Sequence, residues 1–212
     1  AADGCRQVNA MEKITFGPML NAYPDSLGGT LSDAVELLKD EPVKGAFSSF
    51  YILPSLFNTD LDRGFSVIDY GINGWEGCGD IDEEGVLIPR QEYIKDMFFR
   101  KPGLPVLVVE FADGTKKPYW NTFYQQVDVD ENGQKHYLGQ MDLNINSPLV
   151  KEFYQQTLKT LAGYGAKIVR LDAFAYAPKE VGAKNFLNDP GTWEFLQQIT
   201  DMAQPYGVAL LP

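Results

Sequence analysis

A chain of 212 residues can form one or two domains with a real core, and 44% hydrophobic residues exclude a disordered chain. A net charge of −11 argues against nucleic acid and anionic membrane as partners, because both attract basic surfaces, and it fits a soluble protein. No apolar run reaches the roughly 18 residues that a membrane helix needs.

The start, Ala1 to Ala10, carries Asp3 and Arg6 and no long apolar stretch, so it does not read as a signal peptide. It lacks an initiator Met, as expected of a chain cut from something longer. The two cysteines, Cys5 and Cys78, make neither a disulfide framework nor a metal quartet, and a reducing, cytoplasmic setting is expected. Ile14 to Asn21 is apolar and predicts a buried strand, followed by the turn-like Tyr23-Pro24-Asp25-Ser26-Leu27-Gly28-Gly29. Thr30 or Ser32 caps a predicted helix through Leu31, Val35, Leu37 and Leu38, and Pro42 ends it. Ala46 to Leu53, closed by Pro54, predicts a second strand. Strand, helix and strand with short joints form a βαβ unit, which implies a parallel sheet.

Residues 75 to 136 break this rhythm and are rich in Gly, Pro, Asp and aromatics. Val106 to Phe111 and Tyr119 to Val127 read as strands, with Asp113-Gly114 and Asn132-Gly133 as hairpin turns. The single histidine, His136, sits in what reads as a hairpin tip or loop, where an idle, exposed role is expected; Ser-His-Asp, Cys-His and two-His metal sites are poorly supported.

Regular spacing returns at Ser147-Pro148, which start a predicted helix with the apolar stripe Val150, Phe153, Tyr154, Leu158 and Leu161. Gly163 and Gly165 end it, and Lys167 to Phe174 predicts a strand with its charged residues toward the C-terminal end. A helix over about Gly191 to Ala203 and a strand over Gly207 to Leu211 follow. Arg170 and Asp172 are two apart and therefore face the same side of an extended chain. Catalytic residues of parallel α/β barrels gather at the C-terminal ends of strands, and a cation beside a carboxylate favours its charged form. An oriented, ionised Asp can attack an electron-poor carbon; a plain structural ion pair fits the pattern equally well.

The block Gly165-Ala166-Lys167-Ile168-Val169-Arg170-Leu171-Asp172-Ala173-Phe174-Ala175-Tyr176 resembles the nucleophile strand of glycoside hydrolase family 13, the α-amylase family. Three stretches narrow the resemblance to its sucrose phosphorylase subfamily: Asn21 to Gly29, Tyr51-Ile52-Leu53-Pro54-Ser55, and Asp62 to Asp69. Arg100 to Pro105 and Gln140-Met141-Asp142-Leu143-Asn144 are similar to that subfamily's linker and pre-barrel segment. The resemblance runs from about Ile14 to Pro212. It implies an α/β fold: a partial (β/α)8 barrel of about four strands with an inserted, domain B-like excursion. The expected divisions are 1–73, a βαβ part; 74–146, the insertion; and 147–212, the part with the nucleophile strand.

The resemblance implies that Asp172 attacks the anomeric carbon of a glucosyl unit and that Arg170 holds Asp172 in place. It puts Asp62 on glucose hydroxyls and Phe65 along the same donor subsite, with Tyr176 and Gln140 flanking it. The implied reaction is a double displacement with retention, in which phosphate takes the glucosyl group from sucrose to give glucose 1-phosphate and fructose. The partners would be an α-glucoside and inorganic phosphate; no metal or organic cofactor is needed, because the carboxylates carry the chemistry. Sucrose 6′-phosphate and glucosylglycerate are alternative donors.

The chain departs from the family pattern in two places. Asn73 runs directly into Gly74-Trp75-Glu76-Gly77-Cys78, without the third barrel strand and its His-bearing motif. Val208 to Pro212 is similar to the strand that leads to the acid/base glutamate, which would be the next residue. Glu76, Glu83 and Glu84 lie in the excursion, where nothing fixes them against Asp172. The expectation is a catalytically inactive 212-residue piece, and the rival reading is a non-catalytic partial fold.

Overall fold

In the computed structural model the chain divides into two units, Ala1–Cys78 and Gly79–Pro212. The structure describes residues 14–53, 58–59, 67–69, 79–81, 87–89, 97–99, 104, 106–111, 113–121, 125–129, 131, 133, 135–139 and 141–212.

In the first unit the predicted βαβ arrangement is present. Strand β1 (Met19–Ala22) leads through a 3-10 turn at Pro24–Leu27 to helix α1 (Leu31–Lys39) and strand β2 (Ser49–Ile52). The two strands run parallel, with Met19 opposite Ser49 and Ala22 opposite Ile52. Both are shorter than the apolar runs that predict them. Of the two candidate caps, Thr30 is the one used. Its hydroxyl accepts the Asp33 N–H at 3.2 Å, and the Asp33 carboxylate accepts the Thr30 N–H at 2.9 Å, a closed capping box. That box needs Gly28: its φ is +125°, and a Cβ there would come within 2.5 Å of the Asp33 Cβ. A short antiparallel pair, β3 (Asn58–Thr59) and β4 (Val67–Asp69), follows.

The second unit begins with three antiparallel pairs. They are β5 (Gly79–Ile81) with β6 (Leu87–Pro89), β7 (Val106–Glu110) with β8 (Lys116–Trp120), and β9 (Gln125–Val129) with β10 (Lys135–Gly139). The Asp113-Gly114 turn joins β7 to β8; the Asp113 carboxylate accepts the Thr115 N–H at 2.9 Å and its hydroxyl at 2.6 Å. Two expectations change here. The run from Tyr119 to Val127 is not one strand: β8 ends at Trp120 and β9 starts at Gln125. The cause is a change of partner, since the Trp120 N–H donates to the Phe99 carbonyl and its own carbonyl accepts the Asp142 N–H. His136 lies in β10, opposite Asp128, and not at a hairpin tip.

Helix α2 (Pro148–Gly163) starts where Pro148 predicts, although the Ser147 side chain makes no capping bond. Gly165, at φ +92°, turns the chain into β11 (Ile168–Arg170), which is followed by helix α3 (Gly191–Ala203) and β12 (Ala209–Leu211). β11 and β12 are parallel, with Arg170 opposite Leu211. Leu158 of α2 and Phe195, Ile199 and Ala203 of α3 bury an apolar cluster with Val208, against which Tyr154, Val169, Leu171 and Leu210 pack. This core holds the C-terminal ends of β11 and β12 side by side.

Candidate functional site

Arg170 is the last residue of β11, and the ladder reaches one residue further, with the Leu171 N–H donating to the Leu211 carbonyl at 2.9 Å. Asp172 therefore leaves the sheet at its C-terminal edge. Arg170 Nη1 and Asp172 Oδ1 are 2.7 Å apart, on the same side of the chain, as the spacing predicts. Their side chains are 40% and 50% exposed, so solvent reaches the pair. A carboxylate so oriented, open at the end of a parallel strand pair, has the access and the neighbour that a nucleophile needs.

Ala173 turns the chain sharply, with φ +54°, a conformation uncommon for a residue with a Cβ. The turn opens a loop over residues 173–190 that begins with a 3-10 turn at Phe174–Tyr176. The loop is tied to itself. The Leu187 N–H donates to the Ala175 carbonyl at 3.0 Å. Asn188 Nδ2 donates to the carbonyls of Pro178 at 3.1 Å and Lys184 at 2.8 Å. The Asn188 carbonyl accepts the Thr192 N–H at 2.8 Å, which anchors the loop to the first turn of α3.

Tyr176 is half-buried, and its ring lies 4.7 Å from that of Phe186. Lys179 Nζ sits 5.4 Å from the Tyr176 ring centroid and donates to Asn185 Oδ1 at 2.6 Å. Burial holds the Lys179 pKa below the ordinary lysine value, and the Asp142 carboxylate offsets part of that shift. Asp142 is itself buried. Its N–H donates to Trp120 and its carbonyl accepts the Phe99 N–H, so its backbone is held between two segments of the antiparallel region.

Of the residues expected at the site, Arg170, Asp172 and Tyr176 lie on one connected stretch after β11, with Arg170 and Asp172 in contact. Asp62, Phe65 and Gln140 lie outside the described residues. Sequence reasoning missed Lys179 and Asp142. Lys179 is the first cation after Arg170, at the end of the otherwise apolar Ala173 to Pro178, and that isolation was its signal. Asp142 stands in the Gln140 to Asn144 stretch without being singled out. Among the described residues, no group of three or more His, Cys, Asp or Glu is placed to hold a metal ion, and no helix is long and apolar enough to cross a membrane.

No profile of a known family matches the chain. It is 42% identical to a sucrose 6(F)-phosphate phosphorylase of Ilumatobacter coccineus, over 92% of this chain and 48% of that protein. It is 26% identical to a sucrose phosphorylase of Streptococcus mutans, over 92% of this chain and 47% of that protein. Among solved structures it is similar to sucrose 6F-phosphate phosphorylase from Thermoanaerobacter thermosaccharolyticum, with a TM-score of 0.68 and 26% identity, over 97% of this chain and 49% of that one. The chain spans about half the length of the curated relatives it matches. The match to the Ilumatobacter protein runs over 250 positions yet takes up 92% of a 212-residue chain, so several tens of positions within it have no residue here.

Proposed function

This chain is a relative of the sucrose and sucrose 6(F)-phosphate phosphorylases along about half of their length, and from that premise we propose that it is part of a retaining α-glucosyl phosphorylase of the α-amylase family. The observation that carries the reading is the Arg170–Asp172 pair, 2.7 Å apart and open to solvent just past the end of β11. In this reading β1, β2, β11 and β12 are strands of a partial (β/α)8 barrel. Residues 1–73 and 147–212 are its two barrel parts, and 74–146 is the domain B-like insertion. The two parallel pairs, each with a helix between its strands, support it.

Asp172 Oδ attacks the anomeric carbon and the bond to the fructosyl oxygen breaks, giving a covalent glucosyl-enzyme. Retention needs a second carboxylic acid about 5–5.5 Å from Asp172 to protonate that oxygen as it leaves. A phosphate oxygen then attacks the same carbon, its proton passes to the second carboxylate, and Asp172 is released with glucose 1-phosphate. Arg170 orients Asp172 between the two displacements. Asp62 and Phe65 would hold the glucosyl unit in the donor subsite, with Gln140 and Tyr176 flanking it.

The donor is sucrose or sucrose carrying phosphate on its fructosyl 6-position. The phosphorylated donor is favoured by 42% identity to a sucrose 6(F)-phosphate phosphorylase against 26% to a sucrose phosphorylase. The decisive test uses α-glucosyl fluoride, whose leaving group needs no acid, and therefore reads the nucleophile alone. Mass spectrometry of the quenched, digested protein is expected to find a glucosyl group on the peptide containing Asp172, and none in Asp172→Asn. An unlabelled Asp172 peptide, or a label that survives in Asp172→Asn, would refute the nucleophile assignment.

A further inference from the structure

We propose that Lys179 is a positioning residue that holds the Tyr176 ring against the far limb of the loop after β11, giving that flank of the sugar site one preset shape. The proposal rests on the reading of Tyr176 as a wall of that site. A lysine on a surface loop ordinarily keeps its ammonium in water, because taking the charge out of water costs free energy. Lys179 instead is half-buried, and its ammonium is directed at its own loop. It donates to Asn185 Oδ1 at 2.6 Å and to the Asn185 carbonyl at 3.4 Å, and it lies 5.4 Å from the Tyr176 ring centroid. Tyr176 also packs against Phe186, next to Asn185, at 4.7 Å between ring centroids. Tyr176 is thus contacted by Phe186 from the far limb of the loop and by Lys179.

The loop around Lys179 is itself anchored. Its neighbour Pro178 is buried and gives its carbonyl to Asn188, which is bonded in turn to α3. The buried Asp142 carboxylate favours the charged form of Lys179. Asp142 does not move freely, because its N–H and carbonyl are both taken by strand-like partners, Trp120 at 2.8 Å and Phe99 at 3.2 Å. A point charge with three donors suits this junction, where an amide oxygen, a carbonyl and an aromatic face converge. Holding a wall residue in place before the sugar arrives lowers the ordering cost of binding.

The test separates the tie from the function. In lysine-labelled protein, NMR is expected to show the Lys179 ε-protons shifted upfield by the Tyr176 ring, and Tyr176→Leu is expected to remove that shift. Lys179→Met is expected to keep the circular dichroism of the parent, to speed hydrogen exchange at the Leu187 amide, and to weaken glucose binding by about tenfold. Lys179→Arg, which keeps charge and donors, is expected to recover part of the glucose affinity. Unshifted Lys179 protons, unchanged Leu187 exchange, or equal glucose affinity in Lys179→Met would each overturn the proposal. A shifted, Tyr176-dependent Lys179 signal in a protein that does not bind glucose would leave the contact supported and sink the reading of function on which its role depends.

Discussion

At the scale of single residues, the candidate site shows how two charges in similar surroundings are treated differently. The Arg170–Asp172 pair stays open to water, where an ion pair contributes little to stability, and its value lies in orientation. Lys179 is drawn inward, and burial lowers its pKa below the ordinary 10.5, with Asp142 opposing. The unfolded chain therefore holds the Lys179 proton at pH values where the folded chain has released it. Between the lowered value and 10.5 the unfolded state binds more protons, so stability rises with pH, and the cost of burying the charge is fully present below that window. Urea unfolding at a series of pH values up to about 10.5 is expected to show a smaller rise in Lys179→Met than in the parent. Parallel curves for the two proteins would show that the proton on Lys179 is not linked to folding.

At the scale of elements, capping and hydrophobic spacing were legible and strand length was not. The helix over Gly191 to Ala203 and the start of α2 at Pro148 follow from local chemistry that the sequence displays. The strands are shorter than their apolar runs because a ladder needs a partner, and β11 pairs only over the three residues opposite Ala209 to Leu211. The break after Trp120 was illegible for the same reason: its partners Phe99 and Asp142 are 21 and 22 residues away. At the site, the Arg170–Asp172 pairing was legible from a two-residue spacing, whereas the role of Lys179 depends on Asn185 and Asp142, which the loop and the antiparallel region bring to it. One feature of α3 was also beyond sequence reading. Thr192 is fully buried and its hydroxyl has no partner. Thr192→Val keeps the shape and removes the unsatisfied group, so it is expected to raise unfolding stability by about 1 kcal/mol. A loss of stability in chemical denaturation would mean that the hydroxyl contributes a bond after all.

At the scale of the whole molecule, the chain spans about half the length of the curated relatives it matches. Parallel sheets ordinarily have both faces covered. Here, among the described residues, β1 and β2 form one two-stranded sheet and β11 and β12 another. Met19, Ile52 and Leu211 on these strands are 48%, 39% and 51% exposed. A two-stranded sheet has only outer strands, and each presents a side of its backbone to whatever comes next. The consequence is colloidal. A like strand from another copy offers the same spacing of donors and acceptors, with apolar side chains beside them, so chains of the 212-residue polypeptide should add edge to edge. Light scattering is therefore expected to rise faster than linearly with concentration, and Ile52→Lys, which puts a charge beside the contact, should suppress the rise while leaving the Arg170–Asp172 pair as it is.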